Sequence, residues 1–162
     1  MKSILTFVMN QFEIANLQTR VVQIATLART RNTNTRGKLY CGRHRSRSRD
    51  YFNPLDLGWG NPYAHKSTDN CLWQVATLDD CLTNYRLWLW RLIQNANNRD
   101  ALSDWETMYL YRFLHLCNNL ETYHTLVCFC IDRPHRASDS TEIVCHTQIL
   151  WNAAVWYRLN KI

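Results

Sequence analysis

Several features are missing from this sequence, and each absence excludes a class of protein. It has no uninterrupted apolar run of about 18 residues, so we expect no transmembrane segment. It has no glycine-rich phosphate loop, no H-E-x-x-H motif and no G-x-S-x-G motif. Cys145 and His146 are neighbours on one predicted helix, where they do not form a nucleophile–base pair by themselves. We therefore expect a protein that is not an enzyme and that uses no cofactor.

The cysteines and the beginning of the chain indicate the compartment. The seven cysteines are odd in number, most stand in apolar surroundings, and no N-x-Ser/Thr glycosylation site is present. The apolar run within residues 1–9 is too short for a secretory signal. Residues 1–49 are arginine-rich and acid-poor, as mitochondrial presequences are. We expect reduced thiols and an intracellular, reducing compartment, either cytoplasmic or mitochondrial.

Positive charge is concentrated in the first third of the chain. Residues 1–49 contain ten Lys or Arg and one acid, whereas the other residues contain nine basic and twelve acidic groups. Such a basic end on a near-neutral body indicates a polyanionic partner. Apolar residues make up 46% of the 162 residues, which is enough for a hydrophobic core, and we expect a single helical domain.

Apolar residues recur every three or four positions in four stretches, which predicts four helices. The first covers about residues 3–28. The second begins at Thr68 or Asp69 and ends before the Asn-rich residues 95–98.

The third predicted helix begins with a capping box formed by Ser103 and Glu106. The apolar residues 125–131 can prolong this helix or form a short strand, and we favour the helix. The last helix begins near Asp139, with Glu142 in a second capping box.

Residues 29–67 form the predicted connection between the first two helices, because all four glycines and two of the three prolines lie there. Its first half is basic, and its second half is aromatic and turn-rich, so we expect the second half to pack on the body. The pattern predicts an all-α, four-helix bundle-like domain with one long basic crossover loop. Its nearly buried core should include Leu82, Tyr85, Leu89, Phe113 and Leu116.

The basic half of this loop is the candidate RNA-binding site. Arginine at every second position of residues 43–49 suits contacts with successive phosphates, and neighbouring aromatic rings can stack on unpaired bases. The predicted nucleic-acid-binding residues are Arg29, Arg31, Arg36, Lys38, Arg43, Arg45, Arg47, Arg49, Tyr40, Tyr51 and Phe52.

One pair in the same segment, Cys41-x-x-His44, has the spacing of metal ligands. Two further pairs can complete a tetrahedral site with it: Cys128-x-Cys130 and His115-x-Cys117. Because no second Cys-x-x-Cys or His-x-x-x-His motif is present, we interpret these cysteines as packed thiols and predict no metal site.

These features together predict a non-enzymatic, RNA-binding structural protein of a ribonucleoprotein assembly, of the organellar ribosome or viral particle type. Residues 85–92 are apolar on nearly all sides of a helix, which is typical either of the bundle's central helix or of an interface with another subunit. The seven tryptophans favour an interface with other protein subunits of that assembly. Two alternatives remain open. One is a four-helix cytokine-like signalling protein, and the other is a structural subunit of an organellar membrane complex with its basic end at the lipid head groups.

Overall fold

Two small sheets and three long helices make up the part of the chain that the computed structural model describes: residues 16–17, 20–26, 36–43, 53–66, 71–131, 133–139 and 141–160. The described chain is therefore a mixed α/β structure, and the prediction of an all-α, four-helix bundle is wrong. Within these ranges, no helix combines the length and the apolar character needed to cross a membrane.

The larger sheet has four strands, β1 (Gln23–Thr26), β2 (Lys38–Tyr40), β5 (Thr125–Cys128) and β6 (His135–Arg136). Their order across the sheet is β2-β5-β1-β6. Strand β5 lies between β1 and β2 and runs parallel to both, with β6 antiparallel at the other side of β1. A second, two-stranded parallel sheet pairs β3 (Tyr63–Ala64) with β4 (Trp73–Gln74).

Two of these strands lie where we predicted helix. Strand β1 falls in the last part of the predicted first helix, whose residues 3–15 lie outside the described residues, and β5 falls in the predicted continuation of the third helix. At the start of β1 and just before it the burial alternates, with Val22 and Ile24 buried and Val21 exposed, which is the period of a strand. In β5 the residues Leu126 to Cys128 are all buried. A strand covered on both faces has no alternation, so its sequence resembles a buried helical turn. The expected helical continuation over residues 125–131 is therefore wrong.

Helix α1 (Leu78–Gln94) begins about nine residues later than predicted. Its N-cap is Thr77, whose side chain accepts from the Asp80 backbone while the Asp80 carboxylate accepts from the Thr77 backbone. This reciprocal cap satisfies two amides that the first turn leaves without helical partners. The helix ends at Gln94 with Asn95 as its C-cap, before the asparagine-rich residues 95–98, as the sequence predicted.

Helix α2 (Asp104–Asn118) begins as predicted, with the Ser103–Glu106 capping box. Helix α3 (His146–Asn160) begins seven residues after the predicted start at Asp139. The Asp139 carboxylate instead accepts from the backbone of Thr141, at 3.0 Å, and closes a turn before the helix.

The main hydrophobic core lies between the three helices and one face of the larger sheet. Ile24 and Leu126 of the sheet belong to the same buried cluster as the helical side chains. The five core residues predicted from sequence are all buried: Leu82, Tyr85, Leu89, Phe113 and Leu116. Residues 53–66 pack against α1 and α2. The Asn61 amide donates to the Cys81 carbonyl of α1 at 3.3 Å, Leu57 is buried, and the Tyr109 hydroxyl of α2 donates to the Trp59 carbonyl at 3.2 Å.

Candidate metal centre

The carboxyl ends of β2 and β5 lie side by side, because the two strands are parallel neighbours. The backbone amide of Cys41, just after β2, continues the ladder by donating to the Val127 carbonyl at 2.8 Å. Cys128 is the last residue of β5, and the first residue of α3, His146, reaches the same edge. Crevices at the carboxyl ends of parallel strands are common binding sites in α/β proteins.

Four side chains at this edge have the composition of a metal site: Cys128, Cys130, Cys145 and His146. Their ligand atoms all lie within 4.8 Å of one another. The Cys128 Sγ is 3.1 Å from the Cys130 Sγ and 3.3 Å from the Cys145 Sγ. A tetrahedral zinc ion with Zn–S bonds of about 2.3 Å separates its sulfurs by about 3.8 Å. The group therefore accepts such an ion after an outward shift of a few tenths of an ångström.

The imidazole of His146 is oriented by the backbone of the neighbouring strand. Its Nε2 lies 2.8 Å from the Cys41 carbonyl oxygen, which can only accept a hydrogen bond. Nε2 therefore donates, and Nδ1 faces the sulfurs at 3.1 Å from Cys130 and 3.7 Å from Cys128. A carbonyl that holds the distal nitrogen of a histidine is the usual second partner of a metal-bound imidazole.

Backbone amides point at two of the sulfurs. The amide of Thr147 donates to the Cys145 Sγ at 3.4 Å, as a backbone donates to an N-cap side chain. The amide of Cys130 donates to the Cys128 Sγ, also at 3.4 Å. Because α3 begins here, its positive N-terminal end further favours thiolate over thiol.

The pKa values of the four side chains are shifted in different directions. Hydrogen bonds from the Cys130 and Cys145 thiols hold the pKa of Cys128 well below its usual value. The same bonds to Cys128 raise the pKa of both donors. Burial lowers the pKa of His146, but the Cys128 thiolate outweighs it and raises that pKa overall. A divalent cation would replace these shared protons, since metal ligation requires thiolates and a neutral imidazole.

The group is enclosed except at one member. Cys128, Cys145 and His146 are buried, and Cys130 is exposed. All seven cysteines lie in the described ranges, and all of them are free thiols without disulfide bonds. Cys130 is the member nearest the surface, and the four protein ligands would complete a tetrahedral shell.

The structure revises the sequence interpretation of the metal ligands. Cys41 contributes its carbonyl to His146, but its sulfur is not one of the four clustered ligand atoms. His44, its expected partner, lies outside the described residues. Cys128 and Cys130 do belong to the cluster, whereas the pair His115 and Cys117 on α2 does not.

Two ligands were missed by the sequence analysis. We considered Cys145 and His146 only as a nucleophile pair, although Cys-x-Cys followed by a later Cys-His is itself a possible ligand pattern. Their meeting with Cys128 depends on the approach of α3 to the end of β5, which sequence spacing does not reveal.

The structure describes four of the eleven predicted RNA-binding residues. Arg36, Lys38, Tyr40 and Arg43 are described. The others lie outside the described residues: Arg29, Arg31, Arg45, Arg47, Arg49, Tyr51 and Phe52. The Arg43 guanidinium donates to the carbonyls of Asn61 and Tyr63, at 3.2 and 3.3 Å. These hydrogen bonds connect the end of β2 to residues 61–63.

Comparisons of the chain with family models, with curated protein sequences and with solved structures give no match.

Proposed function

We propose that this protein binds one zinc ion through Cys128, Cys130, Cys145 and His146, and that the ion is structural. The observation that supports this most strongly is the convergence of three sulfurs and one imidazole nitrogen within 4.8 Å. Their chemistry matches a Cys3His zinc site, in which soft thiolates and an imidazole favour zinc over the hard cations magnesium and calcium. Because four protein ligands leave no open position on a tetrahedral ion, we assign no catalytic role to it.

The proposed ion joins parts of the chain that are distant in sequence. It ties the end of β5 to the start of α3, and His146 extends the link to the backbone after β2. Metal binding of this kind contributes directly to folding, because the ligands are not assembled in the unfolded chain.

Two matched variants test the zinc site. Cys145→Ala removes a proposed ligand, and Cys117→Ala removes an equally buried thiol outside the cluster. We expect about one zinc per chain in the parent and in Cys117→Ala, and clearly less in Cys145→Ala, by elemental mass spectrometry after dialysis. Equal zinc retention by Cys145→Ala and the parent would contradict the assignment.

A second measurement covers the case in which Cys145→Ala does not fold. The parent chain is loaded with Co²⁺ in place of zinc, and its absorption spectrum is recorded. Thiolate-to-cobalt charge-transfer bands with tetrahedral ligand-field bands support the site. A six-coordinate, oxygen-ligated spectrum rejects it.

We also propose that the protein binds RNA as a non-enzymatic subunit of a ribonucleoprotein assembly. The specific support is the position of the basic segment, since Cys41, whose carbonyl holds His146, lies four residues before Arg45. The proposed zinc centre would therefore lie next to Cys41, within residues 29–49, where eight cations occur without an acid. Such a segment binds phosphates in a salt-dependent manner. The cytokine-like alternative was based on an all-α four-helix bundle, which the mixed α/β structure of the described residues contradicts.

Replacing Arg45, Arg47 and Arg49 together by alanine tests this proposal. Arg43 is not replaced, because its side chain donates hydrogen bonds to the backbone of residues 61–63 and its loss would disturb the fold. We expect weaker binding to unrelated RNAs and a salt dependence that is flatter by up to about one unit per lost phosphate contact. The control triple removes the same charge from exposed sites elsewhere, at Arg86, Arg133 and Arg136. If both triples bind RNA equally at every salt concentration, the basic segment is not the RNA site.

A further inference from the structure

We infer that Phe129, between two of the proposed zinc ligands, is a stacking platform for an unpaired base, and that the preferred ligand is single-stranded RNA. This inference rests on the RNA-binding half of the proposed function. It adds a contact that is chemically distinct from the phosphate contacts of the basic segment.

The Phe129 ring is both exposed and held in place. Its relative exposure is 55%, although it lies directly between the buried Cys128 and the ligand Cys130. The amide of Cys130 also donates to the Cys128 Sγ, which closes a tight turn around Phe129. Zinc bound to both cysteines would fix this backbone further. A large apolar ring presented to solvent on a rigid turn loses little conformational entropy when a partner covers it.

Two described residues contact the Phe129 ring, Tyr40 and Gly42, and Phe129 stays 55% exposed beside them. Tyr40 contacts Phe129 edge-to-face, with ring centroids 5.8 Å apart and planes at 82°. The Tyr40 hydroxyl donates to the Arg43 carbonyl at 3.1 Å, which holds the tyrosine in this position. Gly42 fits beneath the two rings, since a Cβ there would lie 2.9 Å from Phe129 Cδ2 and would also overlap Tyr40. The two rings therefore form an aromatic corner, in which the exposed part of the Phe129 ring is the proposed stacking surface.

The charge around this corner is suited to a nucleic acid. Lys38 and Tyr40 lie on the same face of the edge strand β2, because alternate residues share a face, while Leu39 packs toward the core. The Arg43 charge acts on both Tyr40 and Cys130. A Cys3His zinc centre has a formal charge of −1, which Arg43 offsets locally. Stacking aromatics beside cations are the elements of single-strand recognition, and duplex bases are already stacked and cannot use them.

The test compares the zinc-loaded parent with three variants of Phe129 by fluorescence anisotropy, on a single-stranded oligouridine and on an RNA duplex of equal length. Phe129→Ala and Phe129→Leu remove the ring, and the leucine keeps most of the apolar volume. Phe129→Trp keeps a stacking ring. The matched control is Trp90→Ala, because Trp90 is 44% exposed and is also half of an edge-to-face pair, with Trp156 on the outer surface.

We expect Phe129→Ala and Phe129→Leu to lose roughly ten-fold in affinity for the single strand, with unchanged duplex affinity and zinc content. Phe129→Trp and Trp90→Ala should bind like the parent. Parent-like single-strand binding by Phe129→Leu overturns the stacking site and leaves the proposed function standing. An equal loss on duplex and single strand also overturns it. A parent chain that binds zinc but no RNA rejects the RNA half of the proposed function together with this inference.

Discussion

At the scale of single residues, neighbouring leucines on α1 show how sharply burial changes along a helix. Leu89 is 1% exposed in the main core, and Leu87, two positions earlier, is 62% exposed. Two residues correspond to about 200° of rotation around a helix, so the two side chains point to nearly opposite sides. The core face of α1 therefore has a definite register.

This register predicts the cost of two otherwise identical substitutions. Leu89→Ala should lower the free energy of unfolding by about 2 to 5 kcal/mol, because it removes buried methyl groups and leaves a cavity. Leu87→Ala should change it by no more than about 0.5 kcal/mol. Chemical denaturation of both variants at fixed zinc concentration checks this. Similar values for the two leucines would mean that the register is wrong.

At the scale of elements, one carboxylate connects α1 to the beginning of α2. Glu106 Oε1 accepts from the Trp88 indole at 3.1 Å and from the Arg91 guanidinium, both on α1. Its Oε2 accepts from the backbone and hydroxyl of Ser103, at 3.1 and 2.8 Å. Burial alone would raise the Glu106 pKa, but these hydrogen bonds and the Arg91 charge outweigh it and lower that pKa from 4.5.

The lowered pKa has a consequence for acid stability. A carboxyl whose pKa is lower in the folded state contributes stability above its ordinary pKa, and this contribution is lost as the pH falls through the lowered value. Glu106→Gln should therefore destabilise the protein most near neutral pH, with a smaller difference from the parent below pH 4.5. Urea unfolding at several pH values measures this, with the exposed Glu142→Gln as control. A difference that does not shrink in acid would contradict the role of the ionised carboxylate.

The two capping boxes and the short strands show which element boundaries can be recognised in a sequence. The Ser103–Glu106 box was recognisable because both residues are the usual partners, and α2 begins where it predicts. The Thr77–Asp80 box was missed, because the third position after the N-cap is usually glutamate or glutamine and here it is aspartate. The strands have only two to four residues, too few for a period of two to stand out from a helical pattern.

At the scale of the whole molecule, the candidate site depends on tertiary structure that sequence reasoning did not reach. Cys128 and Cys130 were recognised as possible ligands, but their predicted partners were Cys41 and His44 in the basic segment. The observed partners come from the start of α3, which we had placed seven residues too early. An all-α topology offers no parallel strand ends to gather these residues. The error in fold class and the missed ligands therefore have one cause.

The proposed zinc centre connects three parts of the molecule. The four ligands lie where the sheet, the third helix and Cys41 meet, so a metal bound there would stabilise the fold. Thiolate ligands require reduced cysteines, which agrees with the reducing compartment that we propose from the sequence.

The zinc K-edge X-ray absorption spectrum of the purified protein tests the central claim most directly. We predict one zinc per chain, with three sulfur ligands at about 2.3 Å and one nitrogen ligand at about 2.0 to 2.1 Å. The His146→Cys variant serves as an internal reference, because it should shift the first shell toward four sulfurs if it still binds the ion. A parent spectrum with only nitrogen and oxygen ligands, or a parent protein that takes up no zinc, would contradict the Cys3His centre.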